Sequence, residues 1–303
     1  MTARRRALVL LFLAMPSHDA IAQQGPLWRT LDVSRQLRDS LPKRVRLHYD
    51  AGTLDVRGTN DPLLYAMHLR YDETRAEPLH RFDAAEQQAV LGLRSLGRGL
   101  HVSSGEDRGG AGELTLALPR VVPLDVELEL GGTRSTLELG DLSLRSLRLE
   151  CGATDAQLLF SRPNRVAMRE MQVDVGAADF FALHLANANA DHIRVRGGVG
   201  VVDLEFGGTW TRDLDVTTRL AVGMLILRIP SDVGVRLDVQ RLAAGFDHDG
   251  FVKRNDAWYS ENWDRAPHKL RVRAETVFGK IDVRHASASR DTPDSRFYRE
   301  VHR

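Results

Sequence analysis

Residues 193–227 read IRVRGGVGVVDLEFGGTWTRDLDVTTRLAVGMLIL. Two kinds of apolar-x-apolar pair alternate along this stretch. Ile193/Val195 and Leu214/Val216 belong to one series, Leu204/Phe206 and Leu225/Leu227 to the other, and each series returns after 21 residues. Both series continue outward over about Val126 to Val239. Leu147/Leu149, Val173/Val175 and Val235/Leu237 extend the first; Leu137/Leu139, Leu158/Phe160 and Leu183/Leu185 extend the second. A period of this size is the signature of a stacked repeat.

Within each pair the alternation has period two, which sends one face inward and the other to water. In LDVELEL, Leu124, Val126, Leu128 and Leu130 are predicted to face a core, and Asp125, Glu127 and Glu129 solvent. A single unit cannot bury its own apolar face; stacked units share one. Glycines recur at the turns, at Gly131, Gly132, Gly152, Gly176, Gly197 and Gly198. The two longest steps put extra residues near Arg162-Pro163-Asn164, expected as a bulging loop. The fold class that follows is all-β: a solenoid-like stack of two-stranded repeats of 21 residues, closed by a C-terminal aromatic cap. A β-sandwich is the alternative, because short strands every ~10 residues also describe one. A propeller fits badly, since its blades need ~40–50 residues each.

The start of the chain reads as a secretory signal over residues 1–22. Arg4-Arg5-Arg6 precede the apolar run Ala7 to Met15, and Ala20-Ile21-Ala22 offers cleavage between Ala22 and Gln23. That run is shorter than the ~20 residues of a membrane-spanning helix. No later segment is long and apolar enough, so an exported, soluble chain without a membrane span is expected, periplasmic or extracellular. Residues 27–42 look like a helical or irregular lead-in. Strands are expected from Lys43, at Leu63 to Tyr71, at Ala89–Leu93 and at Leu100–Val102, with a flexible loop at GEDRGGAGE (105–113). The expected divisions are 23–121, an N-terminal β region; 122–285, the repeat domain; and 286–303, a disordered tail.

Composition narrows the function classes. Of 303 residues, 43% are hydrophobic and 6% aromatic, which suits narrow coils filled by Leu and Val. The formal charge is +1, and loss of the signal takes it to about −1, so nothing favours nucleic acid. The one cysteine, Cys151, makes no internal disulfide and reads as a small core residue.

Chemistry-bearing motifs are sparse. Asp247-His248-Asp249-Gly250 lacks the spacing of a calcium loop and reads as a polar turn. His184, His192, His268 and His285 show no zinc spacing, and no cofactor is implied. Asp155, Asp179 and Asp203 recur beside the turns. A polysaccharide hydrolase would need such carboxylates to converge on a cleft, whereas turn capping accounts for them equally. There is no G-x-S-x-G elbow and no P-loop. The best contact candidates are Trp258, Tyr259 and Trp263, which could meet a glycan or an envelope protein. As a cap over the last strand edge instead, they would bury Phe251 and Trp258 and leave Lys253 and Arg254 wet.

The first half, through VRLHYDAGTLDVRG (45–58) and LRYDETRAEP (69–78), resembles the bacterial toast-rack N-terminal domains. The second half is similar to the cell-wall-active antibiotics response (LiaF-like) C-terminal domains and related adhesin-type β-repeat families. LRIPSDVGVRLDV (227–239), GFVKRNDAWYSENWDRAP (250–267) and LRVRAETVFGKIDV (270–283) carry that likeness. The resemblance implies an extracytoplasmic β-solenoid without known catalysis. LiaF-like relatives modulate envelope stress signalling and carry N-terminal membrane helices, which this sequence lacks. The functional expectation is an exported, non-catalytic scaffold or binding protein in envelope stress sensing or adhesion. A polysaccharide-active β-helix enzyme and a self-associating structural module (a homo-oligomer) are the alternatives.

Overall fold

The computed structural model describes residues 25–97 and 112–286. The N-terminal strands are β1 (Trp28–Gln36), β2 (Lys43–Thr59), β3 (Leu63–Asp72), β4 (Ala76–Asp83), β5 (Gln88–Ser95) and β6 (Gly112–Pro119). The middle of the chain gives β7 (Leu124–Glu138), β8 (Leu144–Cys151), β9 (Asp155–Leu159), β10 (Met168–Leu183), β11 (Ala190–Glu205) and β12 (Leu214–Pro230). β13 (Gly234–Asp247), β14 (Phe251–Arg254), β15 (Ala257–Ser260) and β16 (Lys269–Ala286) complete the set. One turn of 3-10 helix, Leu185–Ala188, interrupts them.

The two strands expected in each repeat are two arms of one bent strand. In β11, Ile193 and Val195 lie on the first arm and Val202 and Leu204 on the second, all buried. Pairing with β12 runs to Gly197–Leu220 and resumes at Val199–Val222, so one residue per strand is skipped where the sheet turns its corner. The core fills the space between the arms. Return loops carry the chain back to the next first arm, and buried asparagines tie them together. Asn164 Nδ2 donates to the Leu144 and Val166 carbonyls, and its Oδ1 accepts the Leu144 N–H at 2.8 Å. Asn187 bridges Phe160 O and Thr209 N in the same way. The loop expected to bulge at residues 162–164 thus holds a buried asparagine.

The rungs pair in parallel and in register from β2 through β7, β8 with β9, β10, β11 and β12. Leu137, Leu158 and Leu204 stack in one column as expected, but Ala182 and not Leu183 stands between the last two. Leu227 follows Leu204, while Leu225 lies beside Val202. The slip of two between Leu204 and Leu225 leaves every side chain on its predicted face, because the strand period is two. Leu183 lies one position off, beside Leu159.

At both ends the spatial order departs from chain order. β5 and β6 stack outside β2, although they follow it in sequence. β16 lies between β12 and β13, so the direct step from Leu214/Val216 to Val235/Leu237 is corrected: Val216 meets Val272, which meets Leu237. Antiparallel strands finish the stack: β4 on β5, β3 on β6, β1 on β3, and at the other end β15 on β13 and β14 on β15. Residues 27–42 therefore hold a strand, β1, and not a helical lead-in. It forms because Leu31 and Val33 register against Leu69 and Met67 and pack on the core. The interval 72–113 holds the β4–β5 hairpin, and Ala89–Leu93 lies inside β5. Leu100–Val102, most of the 105–113 loop, the signal with Ala22 and Gln23, and residues 287–303 lie outside the described residues; Ala286 ends β16. The sheet is continuous across 121/122, where β2 pairs with β7 along both arms.

At the third corner position β11, β12 and β16 need glycine, whereas β10 and β13 carry Ala178 and Ala244 there. Gly223 has φ of +136°, and a Cβ there would lie 1.9 Å from the Gly200 carbonyl oxygen. Gly200 and Gly279 repeat this against Ala178 and Gly223. Gly223→Ala is therefore expected to destabilise the chain by at least ~1–3 kcal/mol; a urea midpoint equal to that of the parent would contradict the corner geometry. Leu204 is fully buried in the middle of its column. Leu204→Ala should cost ~2–5 kcal/mol, read by the same melts, and a loss below ~1 kcal/mol would contradict its place in the core.

Candidate contact site

The C-terminal end is built by a short hairpin. β14 and β15 pair through Lys253–Trp258 and Val252–Tyr259 across a turn with Asn255 at φ 56°, a conformation asparagine tolerates well. β15 then lies on the first arm of β13, Leu237 beside Trp258 and Arg236 beside Tyr259. Ser260 secures the join: its Oγ accepts the Val235 N–H at 2.8 Å and donates to Asn262 Oδ1 at 2.6 Å. Asn262 Nδ2 in turn donates to the Ser231 and Val233 carbonyls.

Alternation along β15 sends its two rings to opposite faces. Trp258 packs on the core side, 3.9 Å from the His248 ring and 5.5 Å from Phe246 between centroids. Phe251 is buried and Lys253 and Arg254 are exposed, as the cap reading expects. Trp258 is half-buried where full burial was expected, because no rung follows the hairpin to cover it among the described residues. Tyr259 faces Trp263 edge-on, with centroids 5.3 Å apart and planes at 71°. The Arg254 and Arg236 guanidinium carbons lie 5.6 and 5.9 Å from the Tyr259 ring, and Lys269 Nζ lies 5.3 Å from Trp263. The fold thus brings Tyr259 and Trp263 together among cations and separates Trp258 from them.

The aspartates do not converge. Asp155 and Asp179 are neighbours in register, and Asp179 Oδ1 accepts the N–H of Val201, its register partner on the next rung, at 3.2 Å. Asp203 lies beside Phe181, two positions further along the arm. Its carboxylate is buried and gripped by Arg228, with Nε–Oδ1 at 3.0 Å and Nη2–Oδ2 at 2.5 Å. Burial holds this carboxyl above the usual carboxylate range, against the downward pull of Arg228. Asp247 ends β13, His248 and Asp249 lead into the turn after it, and no group of three metal-ligating side chains occurs among the described residues. Burial pushes the Cys151 thiol up to about 12, as a core residue requires.

One feature was not legible as a site. A shallow groove of about 590 Å³ runs along the corners of the middle rungs, floored by glycines such as Gly152 and Gly176 and lined by Glu129, Glu150 and Asp174 together with His48 and Arg196. Its only sequence signal was the recurrence of glycine at the turns.

Residues 33–168 match the family described as the N-terminal domain of toast_rack, DUF2154. This segment, somewhat under half of the chain, is similar to that family. It runs from β1 to the start of β10, so the toast_rack match takes in the N-terminal cap and the first parallel rungs. No curated protein matches the sequence. The chain is similar to solved structures named as a proposed cell adhesion protein from Clostridium sporogenes (16% identity, 86% of this chain and 100% of that one, TM-score 0.46) and a proposed adhesin from Bacteroides fragilis (10%, 85% and 97%, 0.38). A proposed lipid binding protein from Parabacteroides distasonis is similar too (8%, 86% and 97%, 0.32). No helix among the described residues of this chain is long and apolar enough to cross a membrane.

Removing the cation from Asp203 tests the buried pair. Arg228→Leu strands a buried carboxylate and should cost ~3–5 kcal/mol at neutral pH. The carboxyl has a raised folded-state pKa, so protonation favours the folded chain and the loss should shrink as pH falls through that raised value. Urea melts of parent and variant across that range check it; an equal loss at every pH would show that the buried charge is not the cause.

Proposed function

We propose that the chain is an exported, non-catalytic scaffold that holds an anionic glycan of the cell envelope on its C-terminal hairpin, in the service of envelope stress sensing or adhesion. The observation that carries this reading is the Tyr259–Trp263 pair, two half-buried rings with three cationic groups within 5.9 Å of their centres. Aromatic rings offer large contact area at low entropy cost, and cations around them favour an acidic sugar polymer over a neutral one. The hairpin is pinned to β13 by backbone pairing and by Ser260 and Asn262, so the rings are held in place before contact. The export signal and the LiaF-like signatures in residues 227–283 support the envelope setting. The hydrolase alternative lacks support at two of its three aspartates: Asp179 holds the Val201 N–H, and Asp203 holds Arg228.

The purified chain is expected to co-sediment with isolated cell-wall polysaccharide. Trp263→Ala combined with Arg254→Ser should weaken retention at least ~10-fold with an unchanged thermal midpoint. Undiminished retention would sink the reading, and release of soluble sugar by the parent chain would install the hydrolase in its place.

A further inference from the structure

The skipped residue at each corner and the one after it point away from the core. From β7 to β13 neither position carries a polar side chain on any rung. Solvent-facing turns ordinarily favour Asn, Asp and Ser, so an apolar strip along the whole stack needs an explanation. Its two halves differ in size. The N-terminal half is small: Gly152-Ala153 and Gly176-Ala177 form the turns beside the groove. The C-terminal half is bulky and bare: Val199 is 55% exposed, Val222 42%, Phe278 52% and Leu242 80%. Large side chains in a contiguous exposed row mark an interaction surface.

Charge divides in the same place. In the column just before the corner, Glu150 and Asp174 stand beside the small half, and Arg196 and Arg219 beside the bulky half, on four consecutive rungs. A strip that is small and acidic over Glu150 and Asp174, and bulky and basic over Arg196 and Arg219, is complementary to itself when reversed about its middle. We propose that this strip is the interface of a two-fold dimer of the chain, the bulky half of each copy seated in the grooved half of the other.

The symmetry axis crosses the strip between β10 and β11. Such an axis reverses rung order and keeps first arms beside first arms, as an isologous contact requires. Val199 then faces Ala177, Val222 faces Ala153 and Phe278 faces Gly132. Asp174 meets Arg196 and Glu150 meets Arg219. Glu129 meets Glu275, each already held within its own copy by His48 and by Arg219. This contact leaves the Tyr259–Trp263 pair outside it, so it stands or falls independently of glycan binding.

Sedimentation velocity of the purified full chain at roughly 100 μM, well above a micromolar dissociation constant, should show two copies. Val222→Asp should raise the dissociation constant at least ~10-fold at an unchanged thermal midpoint, since the side chain is exposed. Glu150→Arg should weaken association, and adding Arg219→Glu to it should restore much of the loss. A single copy for the parent chain overturns the proposal. So does a Val222→Asp dimer as tight as the parent, assembly into larger open particles, or a monomer whose strip instead binds phospholipid vesicles.

Discussion

Everything in this molecule depends on parallel, in-register pairing between bent strands that have no core of their own. A rung such as β11 carries a handful of apolar side chains on the inside of a bend and exposes all its backbone edges. It is stable only because the rungs on both sides complete its hydrogen bonds and close the apolar column above and below it. The corner glycines are a consequence of the same constraint. At β11, β12 and β16 the carbonyl of the neighbouring corner occupies the space where a Cβ would stand, and the chain leaves it empty.

The stack must also end. Pairing that is favourable in the middle is a hazard at the last strand, which offers unpaired N–H and C=O groups to any other strand. The protein closes these edges with antiparallel pieces, β1, β3 and β4 at one end and β14 with β15 at the other. The aromatic residues of the last hairpin therefore have two duties. Trp258 and Phe251 pack against the core, while Tyr259 and Trp263 face outward among arginines and a lysine.

Much of this was legible in the sequence, and the limits have physical causes. Alternation in LDVELEL or IRVRGG states which face a side chain takes, since the strand period is two. It does not state which strand is the neighbour. The sequence placed Leu204 and Leu225 in one column; the fold slides them by two, and their faces are unchanged. It could not show β16 lying beside β12, because Val272 and Val235 are equally good partners for Val216 by pattern. In WRTLDVSRQ only Leu31 and Val33 mark the inner face, too few to announce a strand before its partner is known. At the hairpin the residue types pointed to contact chemistry, but only the pairing with β13 decided which ring looks outward. Buried Asn164 was hidden for a similar reason: an asparagine in a loop looks solvated until the neighbouring loop arrives to use its amide.

The position of β16 has a consequence for how the molecule is made. The last of the described strands in chain order lies inside β13 in the finished stack, and β13 has no parallel neighbour until it arrives. Closure at that end therefore waits for residues 269–286 to be made. A nascent chain cannot complete this end of the stack from its beginning, and the parallel neighbours of β13 come together only late.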